Sequence, residues 1–367
     1  MPILEEGEII RETYEVERFL GQGAFAEVYR VRHRFLGRQA MKVFKRTGMT
    51  VAEIEEMLGE AIMLSRIGHP NIVRVFDANV METGKGLCGY FTMENVSGGS
   101  LEKFWHSHGT NFVPVETTVD LMKQVCRGLS VAHRQNPPVI HRDIKPQNIL
   151  VGYEPEGLRA RVGDFGLAKK VNPLTLLATA AGTLSFKAPE AFSESKGDSC
   201  AGDVWALGTT LYLLLTDTLP FELPDDLGWG SQDLFQGKIK PASETNPGVN
   251  ASLDGIIARS LEIKSENRFK NACELLAALE AWKSGEEFPP AKAKGGISEM
   301  SKTALGGKHS APDEDEAGQM AQKAIELKKA GRLADAADIM EEAFNKWPDL
   351  RGKYAHQVKL WRCGVSM

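Results

Sequence analysis

A short polar stretch, VIHRDIKPQNIL at residues 139–150, places a carboxylate, a lysine and an amide within six positions. The carboxylate of Asp143 can accept a proton from an incoming hydroxyl, and the ammonium of Lys145 can neutralise charge on a transferred group. The amide oxygen of Asn148 and the carboxylate of Asp164, in VGDFGLA, are hard oxygen ligands suited to Mg²⁺. The pattern favours a catalytic loop over a polar loop that contains only capping acids and a turn.

Two features nearer the N-terminus can hold a phosphate-rich ligand. Residues 20–29, LGQGAFAEVY, contain a GxG turn whose backbone N–H groups can approach phosphate oxygens, with a glycine-containing hairpin as the alternative. A dinucleotide-binding fold needs a helix after the glycines, and AEVYRV is strand-like instead. Lys42, in AMKVF, needs a partner if it points inward, and Glu60 can supply one. A surface lysine on an alternating strand is the alternative.

The elements that must position these residues form a strand-rich and then a helix-rich part. Residues 14–46 and the runs HPNIVRVFDANV and GLCGYFTMENV predict strands, and residues 50–67 predict a helix. After Gly99 the periodicity is mainly helical. We therefore predict an α+β protein with two lobes. Near residue 283 the chain becomes rich in Gly, Pro, Ser, Lys and acids, which indicates a linker.

The motifs, taken together, resemble those of the eukaryotic-type protein kinases, from about Tyr14 to about Trp282. They are GQGAFAEV, AMK, Glu60 before HPNIV, MENVSGGSL, HRDIKPQN, DFG, GTLSFKAPE, DVWALG and Arg268. One such motif is a weak match, whereas nine in family order identify the family. The resemblance implies a bilobal kinase fold, with a β-rich N-lobe and an α-helical C-lobe, that transfers the γ-phosphoryl group of ATP to protein hydroxyls.

The resemblance also implies a role for each residue of the polar stretch. Asp143 is expected to be the catalytic base, and Lys145 to steady the γ-phosphoryl group. Asn148 and Asp164 are expected to hold Mg²⁺, with Mn²⁺ as a substitute ion. His141 is expected to be structural.

The nucleotide is expected to lie against the N-lobe and the hinge. Gly21 and Gly23 would lie over the phosphates, and Lys42, paired with Glu60, would contact the α- and β-phosphates. The residues expected to enclose the adenine ring and to form the hinge are Leu20, Val28, Ala40, Leu150, Met93 as gatekeeper, Glu94 and Val96.

Three residues are expected to be structural by the same resemblance. Asp203 would anchor the catalytic loop from a buried helix, and Glu190 of APE would pair with Arg268.

Lys145 and the dipeptide Gly182–Thr183 resemble the serine/threonine branch rather than the tyrosine kinases.

Two departures from the family pattern concern nucleotide affinity and specificity. Ala26 stands where the family has its third glycine, and we expect modestly altered nucleotide affinity. Phe186-Lys187 stands before APE where the family often has tyrosine and a small or apolar residue. That segment is expected to face the substrate, so this departure bears on specificity.

The C-terminal segment carries a weaker pattern. In GRLADAADIMEEAFNKWP, residues 331–348, small residues and a proline lie at offsets that resemble the second half of a tetratricopeptide repeat, after a first helix with Met320, Ala324 and Leu327 on one face. A generic helical hairpin is the alternative. A single repeat is expected to pack on the kinase lobe, pair with another chain, or belong to a longer protein. The predicted segments are a lead-in (1–13), a kinase domain (14–282), a linker (283–316) and a tetratricopeptide-like segment (317–367).

The amino-acid composition indicates which binding partners and which cellular compartment to expect. The 367-residue chain has a formal net charge of -5 and no dominant block of Lys and Arg, which argues against a nucleic-acid partner. Five separated cysteines without CxxC favour reduced thiols in the cytoplasm over a disulfide scaffold or a zinc site. The longest apolar stretch, residues 204–215, is too short to span a bilayer and predicts a buried helix instead. We expect protein substrates, a protein partner for the tail, no membrane span, and an oligomeric state that includes a homodimer among its alternatives.

Two other functions stay open at this point. A nucleotide-binding pseudokinase could act as a scaffold through its tail, although the intact Lys42, Glu60, Asp143, Asn148 and Asp164 argue against it. A kinase directed at small molecules is the other, and the GT and APE segments, which resemble a platform for protein substrates, argue against that.

The segment between Asp164 and Glu190 generates a prediction about regulation. Thr179 lies at the spacing of the family's main phosphosite, and Arg142 precedes the base as in kinases whose phosphorylated loop pairs with that arginine. We predict that phosphate on Thr179 orders this segment through Arg142. Phosphopeptide mapping of the active protein checks this. If Thr179 is unmodified in an active enzyme, the prediction is wrong and Thr179 is an ordinary solvated threonine.

Overall fold

The fold is described from a computed structural model that separates into two units, Met1–Glu287 and Phe288–Met367. The residues that the structure describes are 2–23, 25–48, 50–55, 58–59, 67–84, 86–109, 112–165, 184–192, 199–221, 235, 239–284, 311–347, 350, 354, 357–358 and 361.

The first half of the larger unit forms a six-stranded antiparallel sheet with the strand order β1-β2-β3-β4-β6-β5. Its strands are β1 (Ile9–Ile10), β2 (Tyr14–Gln22), β3 (Ala26–His33), β4 (Gly37–Phe44), β5 (Val75–Thr83) and β6 (Gly86–Glu94). The strands are rich in β-branched and aromatic residues, which favour this structure. Successive side chains of a strand point to opposite faces, and both faces of this sheet carry buried side chains. Val16, Val31 and Val43 pack on one face. Ala40, Phe91 and Met93 belong to the main core.

The second half of this unit is mainly helical. Its helices are α1 (Leu101–His106), α2 (Val115–His133), α3 (Cys200–Thr216), α4 (Ala251–Ser260) and α5 (Ala272–Ala281). Ser100, Ser199, Asn250 and Asn271 cap α1, α3, α4 and α5 by accepting backbone N–H groups, which satisfies donors that a helix start leaves free.

The long apolar stretch of the sequence is α3, and every residue from Asp203 to Thr216 in it is buried. The structure therefore agrees with a buried core helix at residues 204–215. Asp203 lies in the first turn of α3, just after the Ser199 cap, so the start of a buried helix carries a carboxylate into the core. No helix in the described part of the chain has the length and apolar character needed to cross a membrane.

The two-part α+β organisation is as the sequence predicts, with two local differences. A hairpin of β7 (Ile149–Glu154) and β8 (Gly157–Val162) lies within the helical half. β5 begins at Val75, although the apolar run that predicts it starts at His69. Residues 70–73 instead pair with the end of β8. The N–H of Val73 donates to the carbonyl of Val162, and the N–H of Val162 donates to the carbonyl of Asn71, both at 2.9 Å.

The smaller unit contains a helical hairpin of α6 (Ala311–Lys329) and α7 (Leu333–Lys346). Ala321, Ala324, Ala336 and Ala337 are buried among its apolar residues, and these small side chains let the two helices approach closely. α6 begins at Ala311, ahead of the predicted boundary near residue 317. The hairpin fits both a single repeat of the tetratricopeptide type and a generic helical pair.

Candidate active site

The catalytic-loop residues lie between α2 and β7 and are held against one another. Asp143 accepts hydrogen bonds on Oδ2 from Lys145 Nζ and from Asn148 Nδ2, both at 2.9 Å. Asn148 Nδ2 also donates to the Asp143 carbonyl at 2.7 Å, within the turn Pro146–Asn148 that leads into β7. The structure thus brings the predicted base, lysine and amide together, with the carboxylate of Asp143 held between two donors.

A buried carboxylate fixes the start of this loop. Asp203 Oδ2 accepts the N–H of His141 at 2.7 Å and His133 Nε2 at 2.9 Å, while Oδ1 accepts the N–H of Arg142 at 2.9 Å. Burial alone would raise the pKa of Asp203, but the hydrogen bond and the charge of the His133 side chain, together with the hydrogen bond from the His141 backbone, hold that pKa below its usual value. Asp203 is therefore an ionised anchor inside the core.

His141 bridges the loop and the segment that carries Asp164. Its Nε2 lies 2.8 Å from the carbonyl of Gly163, and its Nδ1 accepts the N–H of Asp143 at 3.2 Å. Burial lowers the pKa of His141. Only the neutral ring with its proton on Nε2 satisfies both contacts, because a second proton on Nδ1 would oppose the N–H of Asp143. His141 thus has a structural role here, as the sequence predicts.

Lys42 and Asp164 form the second charged pair of the site. Lys42, buried on β4, forms an ion pair of 2.7 Å with Asp164 Oδ1. Burial would raise the pKa of Asp164, but the neighbouring ammonium of Lys42 holds it below its usual value. Asp164 has a φ of 55°, in the left-handed region that a non-glycine residue adopts only when its surroundings impose it. Glu60, the predicted partner of Lys42, lies outside the described residues.

The residues expected around the adenine ring share one face of the N-lobe sheet. Val28 lies opposite Lys42, and Ala40 lies opposite Met93 in the adjoining strand pair. Since Ala40 and Lys42 are two residues apart on β4, these four side chains point the same way. Leu20 lies on β2, at an irregularity in its pairing with β3.

The remaining residues expected to contact the nucleotide lie on β7 and at the end of β6. Leu150, on β7, bridges to Ser100. Glu94 is the last residue of β6, and Val96 lies two residues further on. The N–H of Glu94 donates to the carbonyl of Arg74 at 2.9 Å, and its carboxylate lies 3.0 Å from Arg161.

The glycine turn leaves open space beside the sheet. The N–H of Gly23 bonds the carbonyl of Ala26 at 2.8 Å, which closes the turn between β2 and β3. A Cβ atom added to Gly21 or Gly23 would meet nothing within 4 Å. Among the described residues, nothing therefore crowds the backbone of either glycine.

The predicted ion pair of Glu190 and Arg268 is present and bidentate. The two terminal nitrogens of Arg268 each lie 2.7 Å from a carboxylate oxygen of Glu190. Arg268 also donates to three backbone carbonyls and lies 4.9 Å from the Trp205 ring, so its buried charge is fully engaged. The pair ties the turn Pro189–Phe192 to the core of the helical half.

Thr179, together with Thr175 and Thr183, lies outside the described residues. Sequence reasoning missed His133, whose side chain supplies one of the three hydrogen bonds on Asp203. The sequence feature that could have identified it is a histidine at the end of the predicted helix, eight residues before His141. Sequence reasoning identified Lys187 only as a departure, and the structure places its Nζ 2.6 Å from the carbonyl of Arg142.

Comparisons with known proteins identify the family of this chain. A family described as the protein kinase domain matches residues 14–279. The chain is 30% identical over 288 residues to the serine/threonine-protein kinase PknB of Mycobacterium leprae, which covers 77% of this chain and 44% of that protein. A probable serine/threonine-protein kinase of Clostridium acetobutylicum is 30% identical over 280 residues, covering 74% of this chain and 40% of that protein. This chain therefore spans less than half the length of these relatives.

A solved structure shares the fold. The kinase domain of Mycobacterium tuberculosis PknI superposes with a TM-score of 0.57 at 26% identity, covering 76% of this chain and 98% of that one. The two-lobed architecture and the loop geometry define a catalytic domain of the protein kinase type. The chain belongs to the protein kinase family, and the curated relatives named above are serine/threonine-protein kinases.

The bidentate ion pair gives a prediction about stability. Glu190→Ala leaves the buried Arg268 without its counter-charge, and we expect the free energy of unfolding to fall by about 3–5 kcal/mol. Glu280→Ala, which removes the exposed partner of Arg127, is the control and is expected to cost less than about 1 kcal/mol. Urea denaturation of both variants measures the difference. Equal losses would show that the buried pair adds nothing beyond a surface pair.

Proposed function

We propose that this chain is an active kinase that transfers the γ-phosphoryl group of ATP to serine and threonine hydroxyls of proteins. Its acceptors include threonines of its own segment between Asp164 and Glu190, and this autophosphorylation activates it. The observation that carries the proposal is the Asp143 carboxylate, held between Lys145 and Asn148 on a loop fixed to the core.

Asp143 is positioned to act as the general base. Its carboxylate stands at the end of a loop whose backbone is fixed by Asp203, so it can accept the proton of a hydroxyl that attacks phosphorus. Lys145, already 2.9 Å from this carboxylate, supplies positive charge where negative charge develops on the transferred group. Such positioning and charge are what phosphoryl transfer requires from a protein.

The donor set beside the base fits a magnesium ion. Asn148 offers an amide oxygen and Asp164 a carboxylate, and Mg²⁺ prefers a few hard oxygen ligands together with phosphates and water. The depressed pKa of Asp164 keeps this carboxylate ionised and able to bind a cation. Mg²⁺, or Mn²⁺ in its place, supplies charge neutralisation on the phosphates when bound. Lys42, paired here with Asp164, is the residue proposed to hold the α- and β-phosphates, with Glu60 as its second partner.

The adenine ring is proposed to lie on the sheet face that carries Val28, Ala40 and Met93. Leu20 would cover it from β2 and Leu150 from β7, and the backbone of Glu94 and Val96 would form the hinge hydrogen bonds. The glycine turn would cover the phosphates through Gly21 and Gly23, whose backbone no described residue crowds.

The rest of the protein is part of the same proposal. We assign residues 14–282 to the kinase domain, residues 283–316 to a linker whose last six residues begin α6, and the helical hairpin to protein binding of the tetratricopeptide type, in the cytoplasm. The buried alanines between α6 and α7 support close helix packing of that type. Because this chain spans less than half of its relatives, its substrates, its tail partner and a homodimer are proposals as well.

A pseudokinase scaffold is the second candidate. It is favoured by the helical hairpin alone, which offers a binding element without chemistry. The intact set of Lys42 paired with Asp164, and of Asp143 hydrogen-bonded to Asn148, supports catalysis instead.

Replacing the base tests the proposed activity. Asp143→Asn is expected to lower kcat for phosphorylation of casein about 10²–10⁴-fold, because a general base contributes that much, while ATP binding is retained. Asp120→Asn, on the exposed face of α2, is the control and is expected to keep the wild-type rate. Radiolabelled ATP with Mg²⁺ measures the rates. Wild-type protein that binds ATP but transfers no phosphate would favour the pseudokinase scaffold.

A further inference from the structure

The peptide bond that joins Arg142 to Asp143 carries the proposed base, and the residue before it has a strained conformation. Arg142 has a φ of 71°, in the left-handed region that arginine rarely adopts. Such a conformation persists only where the surroundings impose it. Asp203 holds the N–H of Arg142 at 2.9 Å, which fixes the peptide before the strained residue. A further contact is needed to fix the peptide after it.

Lys187 makes that contact. Its ammonium donates to the carbonyl of Arg142 at 2.6 Å, and the N–H of Asp143 on the same peptide donates to His141 Nδ1 at 3.2 Å. The carbonyl and the N–H of the Arg142–Asp143 peptide are therefore both hydrogen-bonded, the carbonyl to the ammonium of Lys187 and the N–H to the neutral ring of His141. A hydrogen bond from a charged donor is among the stronger ones, and Lys187 is partly buried.

The backbone of Lys187 is itself fixed. Its N–H donates to the carbonyl of Leu184 at 3.0 Å, and its neighbours Phe186 and Ala188 are buried. Three residues further on, Glu190 is held by the buried Arg268. The lysine therefore reaches the catalytic loop from a segment that is anchored independently of that loop.

We propose that Lys187 is a positioning residue for phosphoryl transfer: it holds the Arg142–Asp143 peptide in place beside the strained Arg142 and so sets the position of the Asp143 carboxylate. The inference rests on the proposed function. Lys187 touches no reacting atom and acts through the backbone of the base. Its removal is therefore expected to affect the chemical step more than the binding of ATP or of the protein acceptor.

The test compares three variants of the full chain with wild type. Lys187→Met keeps the length of the side chain and removes the donor, Lys187→Arg keeps a cationic donor, and Lys270→Met removes an exposed lysine as control. With casein as acceptor, Lys187→Met is expected to lower kcat about 10- to 100-fold with both KM values within about twofold of wild type. Lys187→Arg is expected to restore at least half of the lost rate on a logarithmic scale, and Lys270→Met to match wild type.

A second measurement does not depend on turnover. Hydrogen–deuterium exchange of peptides covering residues 139–150 is expected to be faster in Lys187→Met than in wild type or Lys270→Met, because the Arg142–Asp143 peptide loses the contact on its carbonyl. Unchanged kcat with unchanged exchange would overturn the inference. A raised KM for casein at unchanged kcat would overturn it too, since that would make Lys187 a substrate contact.

The failure of the proposed function is distinguishable from the failure of this inference. Wild-type protein that transfers no phosphate contradicts the proposed activity, while the exchange measurement still decides whether Lys187 holds the loop. Active wild-type protein with no loss of kcat in Lys187→Met contradicts the inference alone.

Discussion

The buried carboxylate of Asp203 is the interaction on which the candidate site depends. It accepts three hydrogen bonds, from His133 and from the backbone of His141 and Arg142, in a core that excludes water. An ionised group in such a place is costly unless its oxygens are fully paired, and here two of the three partners are backbone N–H groups of the catalytic loop. Stability and loop geometry are thus set by the same contacts.

From this anchor the site extends toward the N-lobe sheet through a chain of short contacts. His141 reaches the carbonyl of Gly163, the N–H of Gly163 bonds the carbonyl of Asn148, and Asp164 follows with its ion pair to Lys42 on β4. Each contact orients the next residue of the set. The carboxylates, the amide and the lysines therefore occupy fixed places relative to one another within this unit.

Sequence reasoning predicted the family and the two-part α+β architecture, because motifs and periodicity are read from short stretches of the sequence. Runs of β-branched and aromatic residues predicted the N-lobe strands, a continuous apolar run predicted the buried α3, and the motif residues of the loop were named from their types and spacing. The strained backbone of Arg142 and Asp164 could not be predicted. It is imposed by contacts such as that of Arg142 with Asp203, which are 61 residues apart. The contact of Lys187 with Arg142, 45 residues apart, was missed for the same reason.

The most direct test of this account measures phosphoryl transfer and ATP binding in Asp203→Asn. The amide replaces one accepting oxygen by a donor, so at least one of the three hydrogen bonds on residue 203 is lost. The account predicts that folded variant protein, verified by its ATP binding, transfers phosphate at least about tenfold more slowly than wild type, because the loop that carries Asp143 is no longer held. A variant that binds ATP and transfers phosphate at the wild-type rate would contradict the claim that Asp203 sets the geometry of the site.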